Sequence, residues 1–259
     1  MSQPYRKFMF LVDTHWGYER RSGHKVPLHD ERAIDVTLQF AGDFKPDVVV
    51  LGGDILDCNA ISHHERNKPG EKEGLRLIED AEECAARIIA PIIKLGASEY
   101  SYIIGNHCAW LEDMEGEVPG LTGMLNVRRL MSLPKSWNVI PQGGDVSLGK
   151  LTFIHGDTVT GGEHVAKSAV VTYERNIRFG HHHTCQIYTK TSPLSNKLGK
   201  TGVAVPCLCK KDPKYGKGRP NRWVQGFNYG YILPDGTFND YVTLIAGGRA
   251  VINGKVYKG

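Results

Sequence analysis

Four short apolar runs, Phe8 to Val12, Val48 to Leu51, Tyr100 to Ile104 and Leu151 to Ile154, each stop abruptly at polar residues and glycine. Runs this short and this apolar read as buried strands that end at a loop. The chain between them has helical spacing. Ile78, Ala81, Ala85, Ile88 and Ile92 keep one face at steps of three and four, and Pro91 is expected to kink or end that helix near its last turn. Ile34, Leu38 and Ala41 suggest another helix after Leu28. Strands alternating with helices imply a largely parallel sheet through the first two thirds of the chain.

From Cys185 onward the pattern changes to short strand-like runs separated by turn signals: Pro234-Asp235-Gly236, Gly247-Gly248 and Asn253-Gly254. Asn-Gly between Ala250 to Ile252 and Lys255 to Tyr257 is a strong hairpin signal. A second, mostly antiparallel sheet is expected there. Two sheets face to face with helices outside bury both apolar faces, so the predicted fold is α/β: a four-layer α/β/β/α sandwich of two mixed sheets flanked by helices. With 259 residues, 41% of them apolar, the chain is read as a single domain over residues 1–259.

Asp13 ends the apolar run near the N-terminus after five residues, too few for a membrane span or a leader peptide, so a soluble cytoplasmic protein is expected. Six cysteines with no CxxC pair argue for reduced thiols rather than a disulfide framework, and Cys207 and Cys209, too few to close a tetrahedral metal site by themselves, are read as small strand residues rather than metal ligands. The net charge of +4 is unevenly placed. Lys210, Lys211, Lys214, Lys217, Arg219 and Arg222 stand against Asp212 alone, a local net of +5 that leaves the rest of the chain at −1.

Chemistry concentrates in five motifs, each just after a predicted strand: Asp13-Thr14-His15, Gly53-Asp54-Ile55-Leu56-Asp57, Gly105-Asn106-His107, His155-Gly156-Asp157 and Gly180-His181-His182-His183. Strand ends of an α/β sheet lie along one edge, so residues distant in sequence converge on one crevice. Taken singly, each motif reads as a turn, a cap or a core histidine. In order and together they offer carboxylates, an amide and imidazoles, a mixed oxygen and nitrogen set that suits manganese, iron or zinc better than calcium or magnesium alone. In the last motif His181 and His183 are two residues apart and point the same way on an extended strand end, while His182 points elsewhere.

This series, DxH, GDxxD, GNH, a lone His and GHxH, resembles the calcineurin-like metallophosphoesterase superfamily over about two thirds of the chain, from Asp13 to His183. The resemblance implies an α/β/β/α fold and a site for two divalent ions, manganese first with iron or zinc as alternatives. It implies that Asp13, His15 and His183 hold one ion, that Asn106, His155 and His181 hold the other, and that Asp54 bridges. His107 resembles the catalytic histidine that protonates the leaving oxygen. Cys108 departs from the family, which has an acid there, and a thiol can neither orient the imidazole nor raise its basicity as a carboxylate would. Asp57 is read as supporting the site by hydrogen bonds rather than by coordination.

The expected activity is hydrolysis of a phosphate ester. A nuclease-like phosphodiesterase is favoured by Lys210, Lys211, Lys214, Lys217, Arg219 and Arg222 as phosphate contacts, with Trp223, Phe227, Tyr229 and Tyr231 following as a base platform for DNA or RNA. The same alternation at Phe227, Tyr229 and Tyr231 also fits the core face of an ordinary strand. A small-nucleotide pyrophosphatase or a phosphomonoesterase is the alternative activity. His63, His64 and Arg66, in the loop after the second motif, are read as solvated, with a substrate-facing role as the rival.

Overall fold

The computed structural model describes residues 4–65, 67–191, 193 and 199–259. Its first sheet has six strands in the spatial order Phe238–Ile245, Gln225–Ile232, Arg6–Leu11, Val48–Leu51, Glu99–Ile103 and Asn138–Ile140. The last four of these run parallel, and the two C-terminal strands add to Arg6–Leu11 antiparallel. The second sheet has five strands, ordered Gln186–Lys190, Lys200–Ala204, Asn176–Phe179, Leu151–Ile154 and Val146–Leu148.

Alternation along each strand divides the core into three layers. Phe8, Phe10, Val50 and Ile103 of the first sheet meet Phe153, Leu151 and Val203 of the second, with the Phe8 and Phe10 rings 5.3 and 4.9 Å from Phe153. The opposite face of the first sheet, Met9, Leu11, Val49 and Leu51, is covered by Ala33 and Phe40 of the Glu31–Phe44 helix and by Cys84 and Ile88. Ile177 and Phe179 turn the outer face of the second sheet to Ala169 and Val170 of the Val165–Tyr173 helix. The result is the α/β/β/α sandwich of two mixed sheets expected from the sequence.

Three details differ from expectation. Leu151–Ile154 belongs to the second sheet, because Gly149 and Lys150 turn the chain back tightly and pair Leu148 with Leu151. The C-terminal strands Gln225–Ile232 and Phe238–Ile245 return to the first sheet rather than building the second, which instead combines parallel and antiparallel pairs. In the helical stretch from Leu77 to Lys94 Ile78 is 51% exposed. The buried stripe is Leu77, Ala81, Cys84, Ile88 and Ile92, one residue out of phase with Ile78. Pro91 does not end that stretch: residues Ala85–Ile89 form a π turn, closed by the Ala90 N–H on the Ala85 carbonyl, and helix continues to Lys94. The wider turn accommodates a residue that has no N–H to give. The Asn253-Gly254 hairpin is as read, with φ of 50° and 78° at the two turn residues.

One charged pair ties the sheets together. Arg178 of the second sheet, its side chain 2% exposed, donates through Nε and Nη2 to both carboxylate oxygens of Asp240 on the first, at 2.6 and 2.7 Å. Asn228 also donates to Asp240, at 2.8 Å. Asp240→Ala leaves a guanidinium buried without its partner and should lower unfolding free energy by about 3–5 kcal/mol in denaturant titration, with Arg178→Met in the same chain recovering most of the loss. A loss below about 1 kcal/mol would show that the pair is not structurally important.

Candidate metal centre

All five motifs lie at the carboxyl ends of strands, three from the first sheet and two from the second, and meet at one edge of the sandwich. Two buried carboxylates organise them. The His181 N–H donates to Asp13 Oδ2 at 2.7 Å, and the His107 N–H donates to Asp54 Oδ1 at 3.0 Å. Each aspartate thus has one oxygen fixed by the main chain and the other turned toward imidazoles.

Two groups of ligand atoms result. In one, His15 Nε2 and His183 Nε2 are 3.1 Å apart and Asp13 Oδ1 is 3.7 Å from His183 Nε2. In the other, Asn106 Oδ1 lies 3.0 Å from His155 Nε2 and 2.9 Å from His181 Nδ1. Asp54 Oδ2 lies between the groups, 4.0 Å from His15 Nε2 and 3.2 Å from His155 Nε2. Asp13 Oδ1 is buried and has no hydrogen-bond partner among the described residues. An acceptor so placed fits a cation better than it fits the protein alone.

Three of the four candidate histidines have a partner on the outer ring nitrogen. His15 Nδ1 bonds Asp57 Oδ2 at 2.7 Å, His155 Nδ1 donates to the Gly52 carbonyl at 2.9 Å, and His183 Nδ1 faces Cys209 Sγ at 3.7 Å. Partners of this kind hold the tautomer that turns a lone pair inward, as metal-binding histidines require. His182 Nε2 donates to the Val159 carbonyl at 3.0 Å and stays outside both groups as expected, but His181 and His183 are left-handed residues beyond the strand rather than part of an extended strand end. His164, at the start of the Val165–Tyr173 helix, takes no part.

Charge within the cluster follows the same division. Burial pushes the Asp13 and Asp54 carboxyls up, but the facing histidines outweigh it and hold both below the usual range, Asp54 by the larger amount. Burial opposes a charge on His107 too, yet Asp54 and Asp57 raise it to about 10. Asp54 and Asp13 likewise raise His155 to about 10 against its burial, and burial together with that neighbouring charge lowers His181 to about 4.

Backbone shape is built around these contacts. Asp13, His15, Asp54, His181 and His183 all have φ between 45° and 64°, in the left-handed region that costs a non-glycine residue on the order of 1 kcal/mol or more. A Cβ on Gly105 would lie 2.2 Å from Asp54 Oδ1, so only glycine fits before Asn106.

Asp57 does more than the sequence suggested. Besides holding His15, its carbonyl accepts from His107 Nδ1 at 2.8 Å and its Oδ2 lies 3.4 Å from the same nitrogen. Cys108 faces the core instead, 3.4 Å from the Tyr102 hydroxyl and from the Leu56 carbonyl, and His107 is oriented by the Asp57 main-chain carbonyl with the Asp57 carboxylate nearby. Cys209, expected to be an ordinary strand residue, backs His183 from a loop, and its spacing from Cys207 carries no signal of that. All six cysteines are free.

The basic segment is divided. Lys214 pairs with Glu71 and Arg222 with Glu163, while Lys210 is half-buried and Lys211, Lys217 and Arg219 are exposed without a side-chain ion pair among the described residues. Phe227 and Tyr229 pack on Phe40 in the core, so they offer no base platform. Trp223 alone approaches the site, its ring 4.1 Å from that of His183. His63 and His64 sit edge-on to Trp110, and His64 borders a cavity beside His107; Arg66 lies outside the described residues.

No protein-family model matches the chain. Gene 54 protein of Mycobacterium phage L5 is 26% identical over 254 residues, covering 92% of this chain and 96% of that protein. Among solved structures, Vps29 of Chaetomium thermophilum is similar at a TM-score of 0.42 and 11% identity over 98% of each chain. A dimetal phosphatase from Danio rerio is similar at 0.46 and 10% identity, over 93% of this chain and 96% of that one. The chain's own layers are those the calcineurin-like metallophosphoesterase resemblance implies. No helix among the described residues is long and apolar enough to cross a membrane.

Asp57→Asn weakens the acceptor that holds His15 and should lower manganese affinity by about 10–100-fold in titration calorimetry. Unchanged affinity in a folded variant would show that Asp57 does not orient the ligand.

Proposed function

We propose that the protein is a metal-dependent phosphoesterase acting on phosphodiesters. The observation that carries this is the position of Asp54, buried between two ligand groups with one oxygen anchored and the other facing both. On this reading Asp13, His15 and His183 hold one divalent ion, Asn106, His155 and His181 hold a second, and Asp54 holds both. Manganese is the first candidate, with iron or zinc as alternatives. Two ions so bound supply hydroxide near neutral pH and polarise the phosphoryl oxygens. His107, held through Nδ1 by the Asp57 main-chain carbonyl, gives the leaving oxygen its proton.

A diester is favoured because Lys214 shares a cavity with His107 and Trp223 lies against His183, so this stretch reaches the site at both ends. The nuclease form of this reading has less support, since Lys214 and Arg222 are paired and the expected aromatic platform is core.

The test is metal analysis with hydrolysis of bis(p-nitrophenyl) phosphate. Two manganese, iron or zinc ions per chain are expected, with Asp54→Asn losing both ions and activity. One ion or none at saturation sinks the dinuclear assignment. His107→Asn should keep its ions yet turn over an alkyl ester about 100-fold or more slowly, and an unchanged rate would mean that the proton comes from elsewhere.

A further inference from the structure

The cavity beside His107, about 440 Å³, and a second cavity of about 430 Å³ share Arg20, Glu71 and Lys214 as walls, so the two adjoin. Ser22 and Lys68 complete the polar lining of the second. Three cations stand there against one carboxylate, a net of +2. Resting on the phosphoesterase reading, we infer that this second cavity is a subsite for a second phosphate of the substrate, one nucleoside removed from the phosphate that is cleaved. Glu71 occupies the place of that phosphate until the substrate arrives.

Arg20 is oriented but not neutralised. Its guanidinium donates to the Glu73 and Gly23 carbonyls, each at 2.8 Å, and the Glu73 carboxylate that it meets at 3.8 Å is 76% exposed and screened by water. Lys68, just before the short helix Pro69–Lys72, is exposed and has no ion pair among the described residues. The Lys214 main-chain N–H donates to the two oxygens of buried Glu19 at 3.2 and 3.0 Å, and Arg21 neutralises that carboxylate. That grip sets the Lys214 side chain beside Glu71.

Glu71 shows where an anion sits. The Lys214 hydrogen bond, joined by the charges of Lys214, Lys68 and Arg20, holds its carboxyl below the usual range. A terminal phosphate brings three acceptor oxygens and about two negative charges, so it satisfies three cations better than one carboxylate does. An ion pair open to water adds little stability, and displacing Glu71 therefore costs little. The lining of the first cavity runs from His107 and Asp57 to Arg20, Glu71 and Lys214, which leaves room for the nucleoside that links two phosphates.

The metal-loaded protein is tested on bis(p-nitrophenyl) phosphate, on a dinucleoside monophosphate, on that dinucleotide with a terminal phosphate at either end, and on the trinucleoside diphosphate. A terminal phosphate at one of the two ends should raise kcat/KM at least tenfold over the plain dinucleotide, chiefly through KM. Lys68→Ala should cut that advantage at least threefold, and Glu71→Gln, which frees Lys214, should widen it at least threefold. A trinucleotide that shares the advantage marks an interior phosphate as a ligand too, and one that lacks it limits the subsite to terminal phosphates. Hydrolysis of bis(p-nitrophenyl) phosphate with no advantage in any phosphorylated compound, or an advantage that neither variant moves, overturns the subsite alone. No hydrolysis of any diester overturns the phosphoesterase reading and the subsite with it.

Discussion

Asp13 and Asp54 sit in the interior at 0% and 1% exposure, and no lysine or arginine among the described residues pairs with either. Burying a carboxylate without a countercharge costs several kcal/mol even after relaxation. Two of them side by side are tolerable only if positive charge arrives from the histidines, from bound cations, or from both. Much of the local structure serves this requirement: the amides of His107 and His181 aimed at the carboxylates, the five left-handed residues, and the glycine at 105 that lets Asn106 approach.

That requirement also explains what could be read without coordinates. Ligand chemistry demands particular residue types at particular offsets from strand ends, so Asp13, Asp54, Asn106, His155 and His181 announce themselves in order. Period-two alternation likewise sends Phe8 and Phe10 to one face of the sheet and Met9 and Leu11 to the other, with the first pair between the sheets. The sheet assignment of Leu151–Ile154 was not legible, because a fully buried strand looks the same in either sheet and only the turn at Gly149 decides. Nor was the cavity. Its walls come from loops whose sequences carry no periodicity, and Lys214 looks like any other residue of a solvated basic run until Glu71 is found beside it.

Cys108 shows how neighbours in sequence part company in space. Asn106 begins a helix, so His107 and Cys108 project about 100° apart. One reaches the site and the other the core, where burial and two hydrogen-bonding groups surround the thiol. The acceptor that holds the imidazole is the main-chain carbonyl of Asp57, on a strand-end loop from another part of the sheet. A motif position can therefore change its chemistry while the function it served is retained by a residue fifty positions away.

The ligand groups draw on both sheets: Asp13, His15, Asp54 and Asn106 come from the first, His155, His181 and His183 from the second. Ions held there as proposed would act as rivets between layers that otherwise meet through apolar side chains and the Arg178–Asp240 pair. Stability then follows mass action, with each tenfold rise in free ion above the dissociation constant adding about 1.4 kcal/mol per site. The supply of metal in its surroundings would govern how long each copy of the protein survives as well as how fast it works.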